Sequence, residues 1–193
     1  IMVDPGTYYS GYEAIALIID KPVTVTSRNP DDPAVVAATI IDGLSAVPNN
    51  QWNNLGVLFG PGANRNTVLN GFTIQNCGGN AADGGDGDRE TGHPNGEDGA
   101  PIQGAAMIML PGAAPVVKNC VFRNNIVVAG DGGAGVDADE TTNAGRGGWG
   151  GWARGGAIHC ATNTSPKFVN CLIENKAVQG GNGGNGRRLP DGR

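Results

Sequence analysis

Six carboxylates crowd one glycine-rich stretch: Asp83, Asp86, Asp88, Glu90, Glu97 and Asp98, with Arg89 among them. Closely spaced oxygen ligands suit a hard cation, so calcium is the chemistry this loop offers, with the six acids as candidate ligands. Downstream, Gly132-Gly133-Ala134-Gly135-Val136-Asp137 fits six positions of the glycine-rich nonapeptide that holds calcium in tandem arrays. It occurs once here, and no EF-hand spacing is present. The competing reading is an acidic, solvated loop. No other cofactor is implied.

Catalytic chemistry has less to work with. The two histidines, His93 and His159, are solitary, and Asp42 and Glu174 are isolated acids on strands. Arg123 and Glu174 fall one residue apart in register and read as outward, solvated side chains. No catalytic residue is assigned. Trp149 and Trp152, with Tyr8, Tyr9 and Trp52, offer flat faces that stack on sugars. The bland alternative is that the tryptophans pin glycine loops in place. Asn163-Thr164-Ser165 is a formal N-glycosylation acceptor at Asn163. Of the four cysteines, Cys120 and Cys171 share an inward register where either a disulfide or buried thiols would fit. Cys160 lies on a nearby strand, and Cys77 opens a loop without an evident partner.

These residues are positioned by a repeat. Phe72-Thr73-Ile74-Gln75-Asn76, Cys120-Val121-Phe122-Arg123-Asn124 and Cys171-Leu172-Ile173-Glu174-Asn175 are each a short apolar strand ending in asparagine. The asparagines lie 48 and then 51 residues apart, the distance of a repeat architecture. Reading backward, each unit is strand, turn, strand, long loop, with continuous strands expected over 67–76, 116–124 and 167–175. Residues 1–43 add strands at 1–3, 14–19, 23–26 and 35–41, and helical periodicity is nearly absent. Repeated strands without hairpin turns or crossover helices predict an all-β parallel solenoid. Asn76, Asn124 and Asn175 are expected to form an asparagine ladder at one corner.

The whole of 1–193 reads as one β-helix domain or fragment, with glycine-rich loops at 78–104, 126–156 and 176–193 leaving one corner of successive coils. Those loops hold 26 of the 34 glycines. Runs such as Gly180-Gly181-Asn182-Gly183-Gly184 favour extended, polyproline-like strands that pack closely for want of side chains. The competing reading of these runs is a flexible linker.

With these features in place, the chain resembles the right-handed parallel β-helix repeat proteins of bacterial surfaces and secretions, which share the pectate-lyase fold. The matching pieces are Val3-Asp4-Pro5-Gly6-Thr7-Tyr8, Ser27 to Pro33, Ala38 to Gly43, Gly71 to Ile74 and Ser165 to Cys171. Gly155-Gly156-Ala157-Ile158 and Phe168-Val169-Asn170 are also similar to repeats of polymorphic outer-membrane proteins. The resemblance implies a right-handed parallel β-helix outside the cell or on its surface. It says little about activity.

Net charge is −5, which disfavours nucleic acid as a partner, and no stretch is apolar enough to span a membrane. Opening directly on a strand, the chain reads as an excised or processed piece. Its strands carry no evident end caps, so it is expected to be part of a tandem array or a subunit stacking head to tail. The expectation is therefore an extracellular structural or adhesive β-helix, partnered by itself or by polysaccharide. The alternative is a carbohydrate-active or carbohydrate-binding β-helix.

Overall fold

The computed structural model describes residues 1–9, 15–43, 54–137 and 144–186. Two compact units interleave along the sequence. One comprises Ile1–Gly79, Gln103–Ile126 and Gly155–Ala177; the other comprises Asn80–Ile102, Val127–Arg154 and Val178–Arg193. The second unit coincides with the three glycine-rich loops to within about two residues at each interior boundary.

The first unit is a parallel β-helix. Its first coil carries β1 (Met2–Val3), β2 (Gly6–Tyr9) and β3 (Ile15–Ile19). The second carries β4 (Thr24–Ser27), α1 (Pro33–Ala38), β5 (Thr39–Asp42) and β6 (Leu55–Phe59). The third has β7 (Val68–Asn70), β8 (Thr73–Gln75), β9 (Gly78–Asn80), β10 (Ile102–Gln103) and β11 (Met107–Met109). The fourth has β12 (Val116–Lys118), β13 (Val121–Arg123), β14 (Ile126–Val128) and β16 (Ile158–Cys160), while β15 (Ala153–Arg154) belongs to the second unit. The last described coil holds β17 (Lys167–Val169), β18 (Leu172–Glu174) and β19 (Ala177–Gln179). The sheets run β1-β4-β7-β12-β17, β2-β5-β8-β13-β18 and β3-β6-β11-β16. Every neighbour is one coil away, and the pairings in these sheets are parallel. That order is what a chain winding in one direction produces.

Register converts the repeat into stacked apolar rows. Ile41, Ile74, Phe122 and Ile173 align, as do Val25, Leu69, Val117 and Phe168. Val57 and Phe59 align with Met107 and Met109. Ile74, Phe122, Leu69, Val117, Val57, Phe59, Met107 and Met109 are fully buried. Burying each such side chain stabilises by roughly 1.5–3 kcal/mol, and the stacking explains how strands of three residues suffice.

Two expectations are corrected. The continuous strands over 67–76, 116–124 and 167–175 each break into two strands of different sheets. The break falls at Gly71, Asn119 and Asn170, all in the left-handed region (φ 81°, 50° and 51°). Asparagine tolerates that region better than most residues, so it turns the corner where glycine does in the coil below. The strand expected over 35–41 begins instead as α1. Asp32 caps it by accepting from the Ala34 N–H at 2.9 Å, and Pro33 opens the helix. Asp-Pro ahead of Ala-Val-Val-Ala-Ala is a helix-start signal that outweighed the β-branched valines. No helix among the described residues is long and apolar enough to cross a membrane.

Candidate interaction surface

The loops of the second unit form five extended strands: 81–88, 94–102, 128–137, 144–152 and 178–186. Their hydrogen bonds recur every third residue. The amides of Ala81, Gly84 and Gly87 donate to the carbonyls of Val128, Asp131 and Ala134. Those of Gly96, Gly99 and Ile102 donate to Arg146, Trp149 and Trp152. Gly130, Gly133 and Val136 donate to Ala100, Glu97 and Pro94; Gly145, Gly148 and Gly151 donate to Val136, Gly133 and Gly130. Ala129, Gly132 and Gly135 donate to Gln179, Asn182 and Asn185, and Gly181 and Gly184 donate to Gly151 and Gly148. A repeat of three is that of a polyproline-II strand, which bonds outward because it has no internal hydrogen bonds. Outgoing strands of successive loops run parallel, and each return strand runs antiparallel to its outgoing partner.

Glycine is what permits this spacing. A Cβ at Gly99, Gly130, Gly133, Gly148, Gly181 or Gly184 would fall under 3.0 Å from a carbonyl oxygen of an adjacent strand. The loops are therefore a close-packed bundle, as the polyproline-like reading expected.

The acids of the first loop are spread through this lattice. Asp83 Oδ1 accepts the Asp131 N–H at 2.8 Å, Asp86 Oδ1 accepts that of Ala134 at 2.7 Å, and Asp98 Oδ1 accepts that of Trp149 at 2.8 Å. Asp88 Oδ1 accepts from Glu90 N within its own turn. Among the described residues, no three His, Cys, Asp or Glu side chains gather to hold a metal ion. Asp86 and Asp137 do line one recess of about 350 Å³, but Arg89 lines it too and opposes a cation. Sequence reasoning missed that the acids serve as caps on the next strand. It also missed two further members: Asn95 accepts from Arg146 N at 2.9 Å, and Asp131 accepts from Asn182 N at 2.7 Å. The signal was present, because Asp83, Asp131 and Asn182 repeat at the 48- and 51-residue spacings of the coils. Those hydrogen bonds from Asn182 hold the Asp131 carboxyl below its ordinary range.

The tryptophans lie on this bundle's exterior. Trp149 is 80% exposed and Trp152 47%, with the Arg154 guanidinium 4.6 Å from the Trp152 ring centroid. Trp52 lies outside the described residues. Tyr8 and Tyr9 belong to β2 of the β-helix and are half-exposed.

On the β-helix, Asn76, Asn124 and Asn175 share the left-handed conformation (φ 54°, 55° and 45°) at one corner. The amide-to-amide bonds run through the other corner. Asn170 Nδ2 donates to Asn119 Oδ1 at 2.7 Å, and Asn119 Nδ2 donates to Asn70 Oδ1 at 3.1 Å and to Asp31 Oδ1 at 3.2 Å. Asn76 instead donates to both oxygens of Asp42 at 3.1 Å. Asp42 is thus neither isolated nor solvated: it is buried and also accepts from Gln75 Nε2 at 2.6 Å. Arg123 and Glu174 are direct register partners, not offset by one, and Arg123 Nε donates to Gln75 Oε1 at 2.8 Å. Asp42, Gln75, Arg123 and Glu174 form one polar row along the sheet. The neighbouring Asn125 is fully buried, accepting from Cys77 N at 2.9 Å and donating to the Ile74 carbonyl at 3.1 Å.

The four cysteines are free. Burial pushes the Cys77 and Cys120 thiols up to about 12, so neither is a nucleophile near neutral pH. Cys120, Cys171, Asn119 and Asn170 line a recess of about 430 Å³ beside α1, whose asparagine amides are engaged in the ladder. His93 sits exposed in the turn paired with Asp88, and His159 is on β16. Asn163 is exposed in a turn at φ 60°. No protein-family model, curated protein or solved structure matches this chain.

Proposed function

We propose that this chain is a structural β-helix module of the cell exterior, stacking end to end and displaying its glycine bundle as an adhesive face. The observation that carries this reading is the state of the core rows in the outermost coils. Phe168 and Ile173 are in register with the fully buried Val117 and Phe122, yet are 38% and 44% exposed. At the other edge Tyr8 is in register with buried Ile41, yet is 42% exposed. Exposed apolar rows and edge strands of this kind pair readily with another parallel coil. The resemblance to bacterial surface β-helices supports the extracellular placement.

Light scattering across a concentration series tests stacking. Wild-type protein should grow into linear oligomers, and Ile173→Lys should hold it monomeric with its circular dichroism unchanged. A monodisperse monomer at every concentration contradicts the proposal. A second reading, polysaccharide binding, is favoured by the exposure of Trp149, since an open indole face can stack on a sugar. Glycan-array binding lost in Trp149→Ala would select it.

A further inference from the structure

Cys120 and Cys171 occupy equivalent places in the fourth and last described coils. Each follows a corner asparagine in the left-handed region, Asn119 at φ 50° and Asn170 at φ 51°. Each precedes a strand whose partner is in parallel register, Val121 opposite Leu172. Hydrogen bonds fix the two coils on either side of the pair. Asn170 Nδ2 donates to Asn119 Oδ1 at 2.7 Å, and the Leu172 N–H donates to the Cys120 carbonyl at 2.9 Å. Neighbouring parallel strands lie about 4.8 Å apart, inside the Cα separation of about 4.4–6.8 Å that a disulfide spans. The other cysteines have no such counterpart. The register partner of Cys160 is Met109, and the residue matching Cys77 after the next corner asparagine is Asn125.

The thiols are within reach of each other and of a small reagent. Cys171 Sγ leans back onto the coil of Cys120, 3.6 Å from the Val117 carbonyl, and lies 3.5 Å from the Val169 carbonyl. Cys120 Sγ donates to the Lys118 carbonyl at 3.0 Å. Burial first, and the nearby Cys171 charge as well, push the Cys120 thiol up to about 12. Both cysteines line the recess of about 430 Å³ beside α1, whose apolar walls include Pro33, Val36, Val121 and Leu172. Cys171 is half-buried there and Cys120 fully buried, so a solute in the recess meets Cys171 first.

We propose that Cys120 and Cys171 are a site of oxidative cross-linking, closed by hydrogen peroxide into a disulfide that ties these two coils together. The Cys171 thiolate attacks one peroxide oxygen; the O–O bond breaks, hydroxide leaves, and a sulfenic acid forms. The Cys120 sulfur then bonds to the Cys171 sulfur as the S–O bond breaks. The departing hydroxide takes the Cys120 proton as water. Overall the two thiols give up two electrons and two protons, and the peroxide becomes two waters. Against an outside reagent the buried Cys120 is a poor nucleophile. Held one coil from the sulfenic acid it needs no encounter, which offsets its small thiolate fraction. The bond would close a 51-residue stretch (171 − 120) that carries the whole second glycine-rich loop. The inference goes beyond end-to-end stacking and does not depend on it.

The test treats the reduced, dilute full chain with a stoichiometric amount of hydrogen peroxide and maps its tryptic peptides by mass. Trypsin cuts after Lys118, Arg123, Lys167 and Lys176. We expect peptide 119–123 joined to peptide 168–176, lighter than their sum by two hydrogens and separated by dithiothreitol. This pair should dominate every other cysteine pairing, and Cys160→Ser should still form it. Cys120→Ala should instead leave a sulfenic acid on Cys171 that dimedone captures. Should that variant fail to fold, Cys171→Ser carries the test, since its Cys120 should stay reduced under peroxide. Cys171 linked to Cys160 or Cys77, bonds only between chains, an unreacted Cys171, or Cys171 driven to sulfinic acid beside a reduced Cys120 would each overturn the cross-link. None of these outcomes bears on whether the coils stack.

Discussion

The corners of the β-helix rest on asparagines doing three different jobs within a few residues. Asn124 holds a left-handed backbone, Asn119 passes amide bonds between coils, and Asn125 satisfies polar groups inside the core. Only Asn125 is fully buried. Replacing it by leucine strands the Cys77 N–H and the Ile74 carbonyl without that partner, at about 1–3 kcal/mol for each group left unmade. Asn124→Gly keeps the left-handed corner and should cost little. Denaturant midpoints of the two variants check this; equal destabilisation would contradict the division of labour. The recurrence of Asn76, Asn124 and Asn175 marks one corner, but the amide-to-amide bonds run through Asn70, Asn119 and Asn170 instead. Which asparagine bonds to which was not legible in the sequence, because that depends on the corner at Gly71, Asn119 and Asn170, hidden inside what reads as one continuous strand.

At the scale of elements, the apolar rows were readable because inward residues repeat at fixed spacing, and Phe72, Ile74, Cys120 and Phe122 are buried as that register requires. Helix α1 was not readable from periodicity: a turn and a half offers no 3.6-residue pattern, and only its cap marks it. The loop strands were partly legible. Their glycine content pointed to close packing, but the partner of each strand is set by the coil spacing that brings residues 48 and 51 apart into contact. The acids are close in sequence, but a threefold strand turns Asp83 and Asp86 toward amides of the next loop, which sequence proximity does not reveal. Gly148→Ala tests the packing, since its Cβ would fall under 3.0 Å from the Glu97 carbonyl. It should unlock the bundle while the buried rows of the β-helix keep their packing. A variant with bundle amides as protected as wild type would refute the close approach.

At the scale of the whole molecule, two ways of stacking extended chain share one repeat. In the β-helix, apolar side chains stack inward and each strand bonds its counterparts in adjacent coils. In the bundle, side chains are absent from the contacts and main chain meets main chain on several sides. The glycine-rich loops are an ordered, hydrogen-bonded lattice whose bonds recur every third residue. Residue-resolved amide hydrogen exchange tests it most directly. The amides of Gly84, Gly99, Gly133, Gly148 and Gly151 donate across strands and should exchange slowly. Uniformly fast exchange across all these glycines, beside protected amides at Ile74 and Phe122, would contradict the lattice and leave the loops as linkers on a β-helix.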